Sequence, residues 1–274
     1  MHMHELPYPP VAGARAAAVQ GLRGGEHFMA TDWVAEEVPV ALVYNGVSHA
    51  VMLASPSDLE DFALGFSLSE GIVASAAQVY DIEVQEHERG ISVALEVASS
   101  RFACLKERRR SLAGRTGCGL CGTESLEQAV RAPQALERLG HFEAAAVSAA
   151  LGQMRERQLL LGVTGASHAA AWCSPAGEIA LLREDVGRHN ALDKLIGALA
   201  RAGRNGSGGF ITVTSRASYE MVQKTASAGV HLLAAVSGVT GLAIDMAQGC
   251  GVTLLGFARG QDLSVYSHPE HLEF

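Results

Sequence analysis

"FITVTSRASYEMVQKTASAGVHLLAAVSGVTGLAIDMAQGCGVTLLGFA", residues 210–258, alternates two kinds of apolar pattern. "FITVTS", "HLLAAVS" and "GVTLLGFA" are short continuous apolar runs, the signature of buried strands. "SYEMVQKTASAG" and "VTGLAIDMAQG" lie between them and have the length and spacing of helices. Strand and helix in turn predict a sheet with helices packed against it. Downstream, "DLSVYS" adds a closing strand. Upstream, "HAAAWC" and "EIALLRED" pair as a hairpin across Ser174–Gly177. "GRHNALDKLIGALARAG" then forms a helix with Leu192, Leu195, Ile196 and Leu199 on one face, and "GRNGSGG" is a turn.

The first hundred residues read differently. "VPVALVYNGVSHAVMLA", residues 38–54, is a hairpin whose two β-rich runs flank Asn45-Gly46, a strong two-residue turn signal. A helix is expected over about 57–71, with Ser57 as N-cap, Glu60 completing a capping box and Gly71 as the stop. Leu59, Phe62, Ala63 and Phe66 make its apolar face. "VYDIEVQE" and "GISVALEV" form a second hairpin across "HERG". "RFACLKERRRSLA" is a short basic helix, and "TESLEQAV" and "FEAAAVSAALGQMRERQ" are helices after it. The chain therefore divides into a flexible tail over 1–30, a β-rich domain over 31–140 and an α/β domain over 141–274.

Composition narrows the function. The 274 residues include 48% hydrophobic and 18% charged positions, which suits a folded chain with a substantial core. Lys and Arg number 21 against 29 Asp and Glu, a net charge of −8, the opposite of the bias of a general nucleic-acid binder. There is no signal peptide pattern and no membrane-spanning run, so a cytoplasmic protein is expected. Five widely spread cysteines, Cys104, Cys118, Cys121, Cys173 and Cys250, argue for reduced thiols over a disulfide framework.

Cys118 and Cys121 form a Cys-x-x-Cys in the glycine-rich stretch "GRTGCGLCGTES", residues 114–125. A disulfide, half a zinc site completed by distant ligands such as His168 and Cys173, a redox pair and a carrier of reactive sulfur all remain open on the motif alone. A mobile loop suits a carrier, which must visit a donor and an acceptor. Arg108, Arg109, Arg110 and Arg115 supply positive charge that favours thiolate. Further along, polar residues gather where strands give way to helices: Arg188 and His189 in "REDVGRHNALDKLIG", Ser215, Arg216 and Ser218 in "TVTSRASYEMVQK", and Ser237, Gly238 and Thr240 in "AAVSGVTGLAIDMA". Each has an ordinary structural reading as caps and turns. Together with Phe257 and Arg259 they place donors along one sheet edge, where α/β proteins bind ligands, and point to a large anionic, nucleotide-like ligand.

"GRTGCGLCG", "EDVGRHNALDK", "SRASYEMVQK" and "GFARG…VYSHP", in that order, resemble the formate dehydrogenase accessory protein family, FdhD, over nearly the whole chain from about residue 30. The resemblance implies a cytidine deaminase-like mixed sheet flanked by helices, plus a smaller β-rich N-terminal domain, in a homodimer. It implies a sulfurtransferase that accepts persulfide sulfur from a cysteine desulfurase. The sulfur passes to the molybdenum cofactor, a bis-molybdopterin guanine dinucleotide that GDP-like nucleotides mimic, before insertion into formate dehydrogenase. By this likeness Cys118 carries the persulfide with Cys121 assisting, and Phe257, Ala258, Arg259, Gly260, Gln261 and Asp262 bind the cofactor. Two departures stand out: Ser215-Arg216 where Gly-Arg is expected, and Ser237-Gly238-Val239-Thr240 where Ser-Ala-Pro-Thr is common. A zinc deaminase is disfavoured, because no Glu follows the His of "SHAAAWC" and no proline precedes Cys118. A non-enzymatic cofactor-binding chaperone for formate dehydrogenase is the alternative.

Overall fold

The computed structural model describes residues 11–112, 133–137, 141–204 and 206–274, with side chains of 108–112 left out. Cys118, Cys121, Arg115 and the helix expected at "TESLEQAV" lie outside the described residues. Among the described residues no helix is long and apolar enough to cross a membrane.

The chain opens with a ribbon, β1 (Ala14–Arg23) and β2 (Glu26–Ala35), paired antiparallel along its length. The expected tail over 1–30 is thus corrected for residues 14–30. "ARAAAVQGLR" and "EHFMATDWVA" carry too little apolar alternation to announce strands, and the Gly24-Gly25 turn pairs them backbone to backbone. Next come β3 (Val38–Tyr44) and β4 (Val47–Ala54), joined as expected by Asn45 and Gly46 at φ 44° and 79°, the twist a two-residue hairpin turn requires. Helix α1 (Leu59–Ser69) follows, then β5 (Val79–His87), β6 (Gly90–Val97) and α2 (Ser99–Leu112). The expected capping box does not form: Asp58, not Ser57, is the N-cap, in a left-handed conformation without a side-chain cap bond. These strands make a sheet in the order β4-β3-β6-β5, with β3 and β6 parallel. Leu59, Phe62, Ala63 and Phe66 of α1 pack on it with Val40, Leu42, Val93 and Leu95.

The second half runs β7 (Phe142–Glu143), α3 (Ala144–Arg157), α4 (Leu159–Thr164), β8 (His168–Cys173), β9 (Ile179–Asp185), α5 (Arg188–Arg201), β10 (Phe210–Val213), α6 (Tyr219–Ser227), β11 (Leu232–Ala235), α7 (Gly241–Cys250), β12 (Thr253–Arg259), β13 (Asp262–Ser267) and β14 (Leu272–Glu273). Its main sheet has the order β13-β12-β11-β10-β8-β9. β10, β11 and β12 are parallel; β8 and β13 run against their neighbours. One face is covered by α5, α6 and α7 through Leu192, Leu195, Met221, Val222 and Ala247. The other is covered by α3 through Val147, Ala150 and Met154. The mixed α/β architecture expected from the alternation is the one observed.

The two halves meet where α1 crosses α5. Asp61, Gly65 and Ser69 are spaced by four and form one stripe of α1; Asp193, Gly197 and Arg201 form the matching stripe of α5. A Cβ on Gly65 would fall on the carbonyl oxygen of Asp193, and one on Gly197 on that of Asp61, so each backbone lies against the other. Ions line both ends of this contact. Asp61 accepts from Arg183 Nη2 at 2.7 Å and Arg201 Nη1 at 3.1 Å. Asp193 accepts from Ser69 Oγ at 2.6 Å and from Lys224 Nζ at 3.0 Å, and Lys224 also donates to Glu70 at 2.8 Å. Burial opposes the charge on Lys224, but Asp193 and Glu70 outweigh it and hold the ammonium above its ordinary pKa.

Two stability predictions follow from this crossing. Gly65→Ala should force the helices apart and cost about 1–3 kcal/mol, a core overpacking effect, whereas Gly249→Ala, on an exposed turn of α7 with open space around it, should be neutral or stabilising. Lys224→Met leaves buried Asp193 uncompensated and should cost about 3–5 kcal/mol; Arg201→Ala, half-exposed, should cost under about 1 kcal/mol. Urea unfolding midpoints measure all four.

Candidate functional site

β10 and β11 end at Val213 and Ala235, and the segments leaving them are laced together by backbone bonds. Val236 N–H donates to Val213 O at 3.0 Å, Ala217 N–H to Gly238 O at 3.1 Å, Thr240 N–H to Ala217 O at 3.2 Å and Phe257 N–H to Ser237 O at 3.0 Å. β9 ends on the same edge, and antiparallel β8 begins there at His168, so the starts of α5, α6 and α7 share one rim with His168 and the tip of the β12–β13 hairpin. This rim gathers Arg188, His189, Ser215, Arg216, Ser237, Thr240, Phe257 and Arg259, and with them Ala258 and Gly260–Asp262 of the same hairpin.

Their environments differ. In "EDVGRHNALDK" the structural roles dominate. Asp185 is fully buried; it accepts from the N–H groups of Ser55 (3.0 Å) and Gly187 (2.7 Å) and from Asn190 Nδ2 (3.0 Å), and pairs with Lys194 at 2.7 Å. Lys194 also donates to Ser55 O at 3.0 Å, and Asn190 to Leu53 O at 2.8 Å. Asp185, Asn190 and Lys194 thus bolt the second domain to Leu53 and Ser55 of the first. Arg188 and His189 are left facing the rim. His189 Nε2 lies 2.8 Å from Glu220 Oε2, which joins the first turns of α5 and α6 side by side. The hydrogen bond from His189 holds the Glu220 carboxyl below its usual range. Arg188 Nε and Ser218 Oγ are buried atoms without a hydrogen-bond partner among the described residues. Burial, and then Arg188, pull the His168 pKa down and favour a neutral ring.

Ser215 is not a free donor: it is buried, and its hydroxyl bonds the Arg216 carbonyl at 2.9 Å. Arg216 is exposed. Thr240 caps α7 without a side-chain bond. Phe257 sits at φ 52°, a costly conformation for an aromatic residue, at an irregularity in the β12–β13 pairing. Its ring lies over Gly238, where a Cβ would be 3.1 Å from Cζ, which accounts for glycine at that position. Gly260 and Gln261 form the hairpin turn between Arg259 and Asp262, so Gln261 and Asp262 stand at an exposed tip.

Behind the rim, on the α3 face, a pocket of about 460 Å³ opens between α3, α4 and the strand ends. Ala258, Arg259, Gly260, His168 and Thr214 line it together with Gln158 of the α3–α4 corner. Sequence reading missed Gln158, Glu220 and Thr214. Each is one polar residue in an ordinary helix or strand pattern, and only the fold brings it to the rim.

The described cysteines are separable. Cys173 and Cys250 are buried, and burial pushes the Cys173 thiol up to about 12 and raises that of Cys250. Both are thiols at neutral pH. His168 and Cys173 stand at opposite ends of β8, some ~17 Å apart at strand rise, and do not converge to complete a zinc site. Cys104 is exposed. Iodoacetamide at pH 8 should label Cys104 in native protein and reach Cys173 and Cys250 only after denaturant, as peptide mass mapping reads. Phe257→Gly should keep or raise the urea midpoint, because relief of the left-handed strain offsets the loss of a half-exposed ring; a loss above about 1 kcal/mol would show that ring packing dominates.

Residues 35–273 match the model of the FdhD/NarQ family. The sequence is 60% identical over 256 residues to the sulfur carrier protein FdhD of Cupriavidus necator, covering 93% of this chain and 89% of that protein. It is 55% identical over 272 residues to the protein of that name from Variovorax paradoxus, covering 99% and 98%. A crystal structure from Desulfotalea psychrophila, described as a formate dehydrogenase accessory protein, superposes with a TM-score of 0.74 at 20% identity, over 95% of this chain and 99% of that one. At that identity the likeness speaks to the fold.

Proposed function

The chain belongs to the FdhD/NarQ family, and on that premise we propose that it is a sulfur carrier, a role that the names of its relatives support. Its finer assignment is a cytoplasmic sulfurtransferase. The Cys118 thiolate attacks the outer sulfur of a cysteine desulfurase persulfide; the new S–S bond forms as the desulfurase thiolate leaves. Cys121 assists. The carried sulfur is destined for the molybdenum cofactor, a bis-molybdopterin guanine dinucleotide that is substrate here, on its way to formate dehydrogenase.

The observation that carries the acceptor half of this reading is the rim. A dinucleotide is large, flat at its ends and anionic between them. Arg188 offers a buried Nε without a hydrogen-bond partner among the described residues, beside two adjoining helix starts, which favour negative charge. Arg259 and Gly260 join that side of the rim to the pocket on the α3 face. Phosphates over the helix starts and a ring in the pocket use both faces of one sheet edge. Formation of a homodimer would add a second rim for a two-dinucleotide cofactor.

The donor half is tested by intact-protein mass measurement after incubation with a cysteine desulfurase and cysteine. Wild type should gain the mass of one sulfur, Cys118→Ala should not, and Cys121→Ala should retain part of the gain. A Cys118→Ala/Cys121→Ala double variant that matures formate dehydrogenase fully would overturn sulfur transfer; if it also bound GDP, it would identify a cofactor-binding chaperone.

A further inference from the structure

The β1–β2 ribbon reaches beyond the body of the fold. Its residue pairs, from Ala14 with Ala35 to Arg23 with Glu26, run without a bulge over about 33 Å at strand rise. Its main packing partner within the chain is α4, chiefly along β2. The far half stands in solvent: Leu22 is 64% and Met29 85% exposed, and Ala18, Ala30 and Thr31 are exposed beside them. A two-stranded ribbon alone is marginal in water, so a further strand or surface is needed to complete this one.

The open edge of the ribbon is β1. In a regular antiparallel pair, every second residue of each strand turns its N–H and C=O outward. Among the described residues no hydrogen bond reaches the outward groups of residues 15–23. Open edges invite other strands, and proteins blunt them with charge, proline or bulges. β5 is blunted by exposed Asp81, Glu83 and Glu86. β4 is tied down where Asn190 takes the Leu53 carbonyl and Asp185 the Ser55 N–H. β1 has no such protection: residues 16–22, "AAAVQGL", carry no charge, no proline and no bulge. Most of these side chains are too small to form the pockets by which a sheet edge selects another protein's strand. What matches such an edge is an equally small strand, and β1 itself is one.

We infer that β1 pairs with β1 of a second copy of this chain, antiparallel about a two-fold axis, to give a four-stranded sheet in the order β2-β1-β1-β2. Charge sets the register. Centring the pair on Val19 places Arg15 of one copy opposite Arg23 of the other, and like charges directly opposite are unfavourable. Centring on Ala18 pairs residues 14–22 throughout, sets Arg15 opposite Gly21, and brings each exposed Leu22 beside Ala14 at the base of the other ribbon. Shifts beyond these shorten the pairing.

Full-length protein tests this by sedimentation and by disulfide trapping. Wild type should sediment as a dimer at micromolar concentration. Facing residues of an antiparallel pair have Cα atoms about 4.5–5.5 Å apart, within disulfide reach. Ala18→Cys, oxidised with copper phenanthroline, should therefore give a linked dimer whose peptide map shows position 18 joined to its own copy. Gln20→Cys should not, because its two copies stand about 13 Å apart in that register. Ala18→Lys should weaken the dimer roughly fivefold, and an equimolar mixture with Ala18→Glu should restore it. Trapping at position 18 remains readable even where the lysine variant folds poorly. A monomeric wild type, a dimer in which position 18 is not joined to itself, or a dimer that Ala18→Lys leaves as tight would overturn the pairing. None of these outcomes bears on sulfur transfer, because the mass gain at Cys118 is read on monomer and dimer alike.

Discussion

The close crossing of α1 and α5 is the constraint from which the rest of the molecule is hung. Two glycines, Gly65 and Gly197, let the helix backbones touch, and each occupies the place where the other helix presents a carbonyl. Contact that close leaves no room for apolar side chains between the axes. The stripe is therefore filled by short polar residues, Asp61, Asp193 and Ser69; Arg201 at the end of the α5 stripe, and Arg183 and Lys224 from outside it, meet the two carboxylates. Buried ion pairs of this kind add little net stability but are costly to break. They tie the first domain to the second, since Asp61 of α1 accepts from Arg183 and Arg201, and Asp193 of α5 accepts from Ser69 of α1.

That placement reaches the site. Asp185 and Lys194 bind the Ser55 backbone from the strand end and first turns of α5, so the same docking that joins the domains sets the start of α5. Arg188 and His189 are carried to the rim by it, and the His189–Glu220 pair then draws the start of α6 alongside. On the opposite face, Glu184, the neighbour of Asp185 on β9, holds α4 and with it the corner bearing Gln158. Adjacent residues of one strand thus position the two faces of the rim, and the alternation of side chains along a strand is the reason they can.

Much of the fold was legible because burial writes itself into periodicity. The apolar runs at 210–213, 232–235 and 253–259 are strands, the helices between them fall where the 3.6 spacing placed them, and Asn45-Gly46 turns the hairpin it signals. The ribbon over 14–35 was missed, since most of its side chains are exposed and its order comes from backbone pairing that any sequence can make. The α1 cap was misplaced because Ser57 and Glu60 match a local motif, whereas domain docking decides where the chain enters the helix.

The site was legible in kind and not in arrangement. From residue types alone came a Cys-x-x-Cys, arginines, and polar groups at successive strand exits, since anion and sulfur chemistry demand those groups. Whether Asp185 touches a ligand or a neighbouring backbone, whether Ser215 is free, and whether Gln158 is a surface amide or part of a pocket wall are questions of partners distant in the chain. Sequence by itself determined the elements, the layer pattern and the stock of chemistry, because these follow from local spacing. Tertiary structure alone decided which polar groups are consumed in holding the fold and which remain for a ligand, because a hydrogen bond needs a partner within about 3 Å and only the folded chain brings one there.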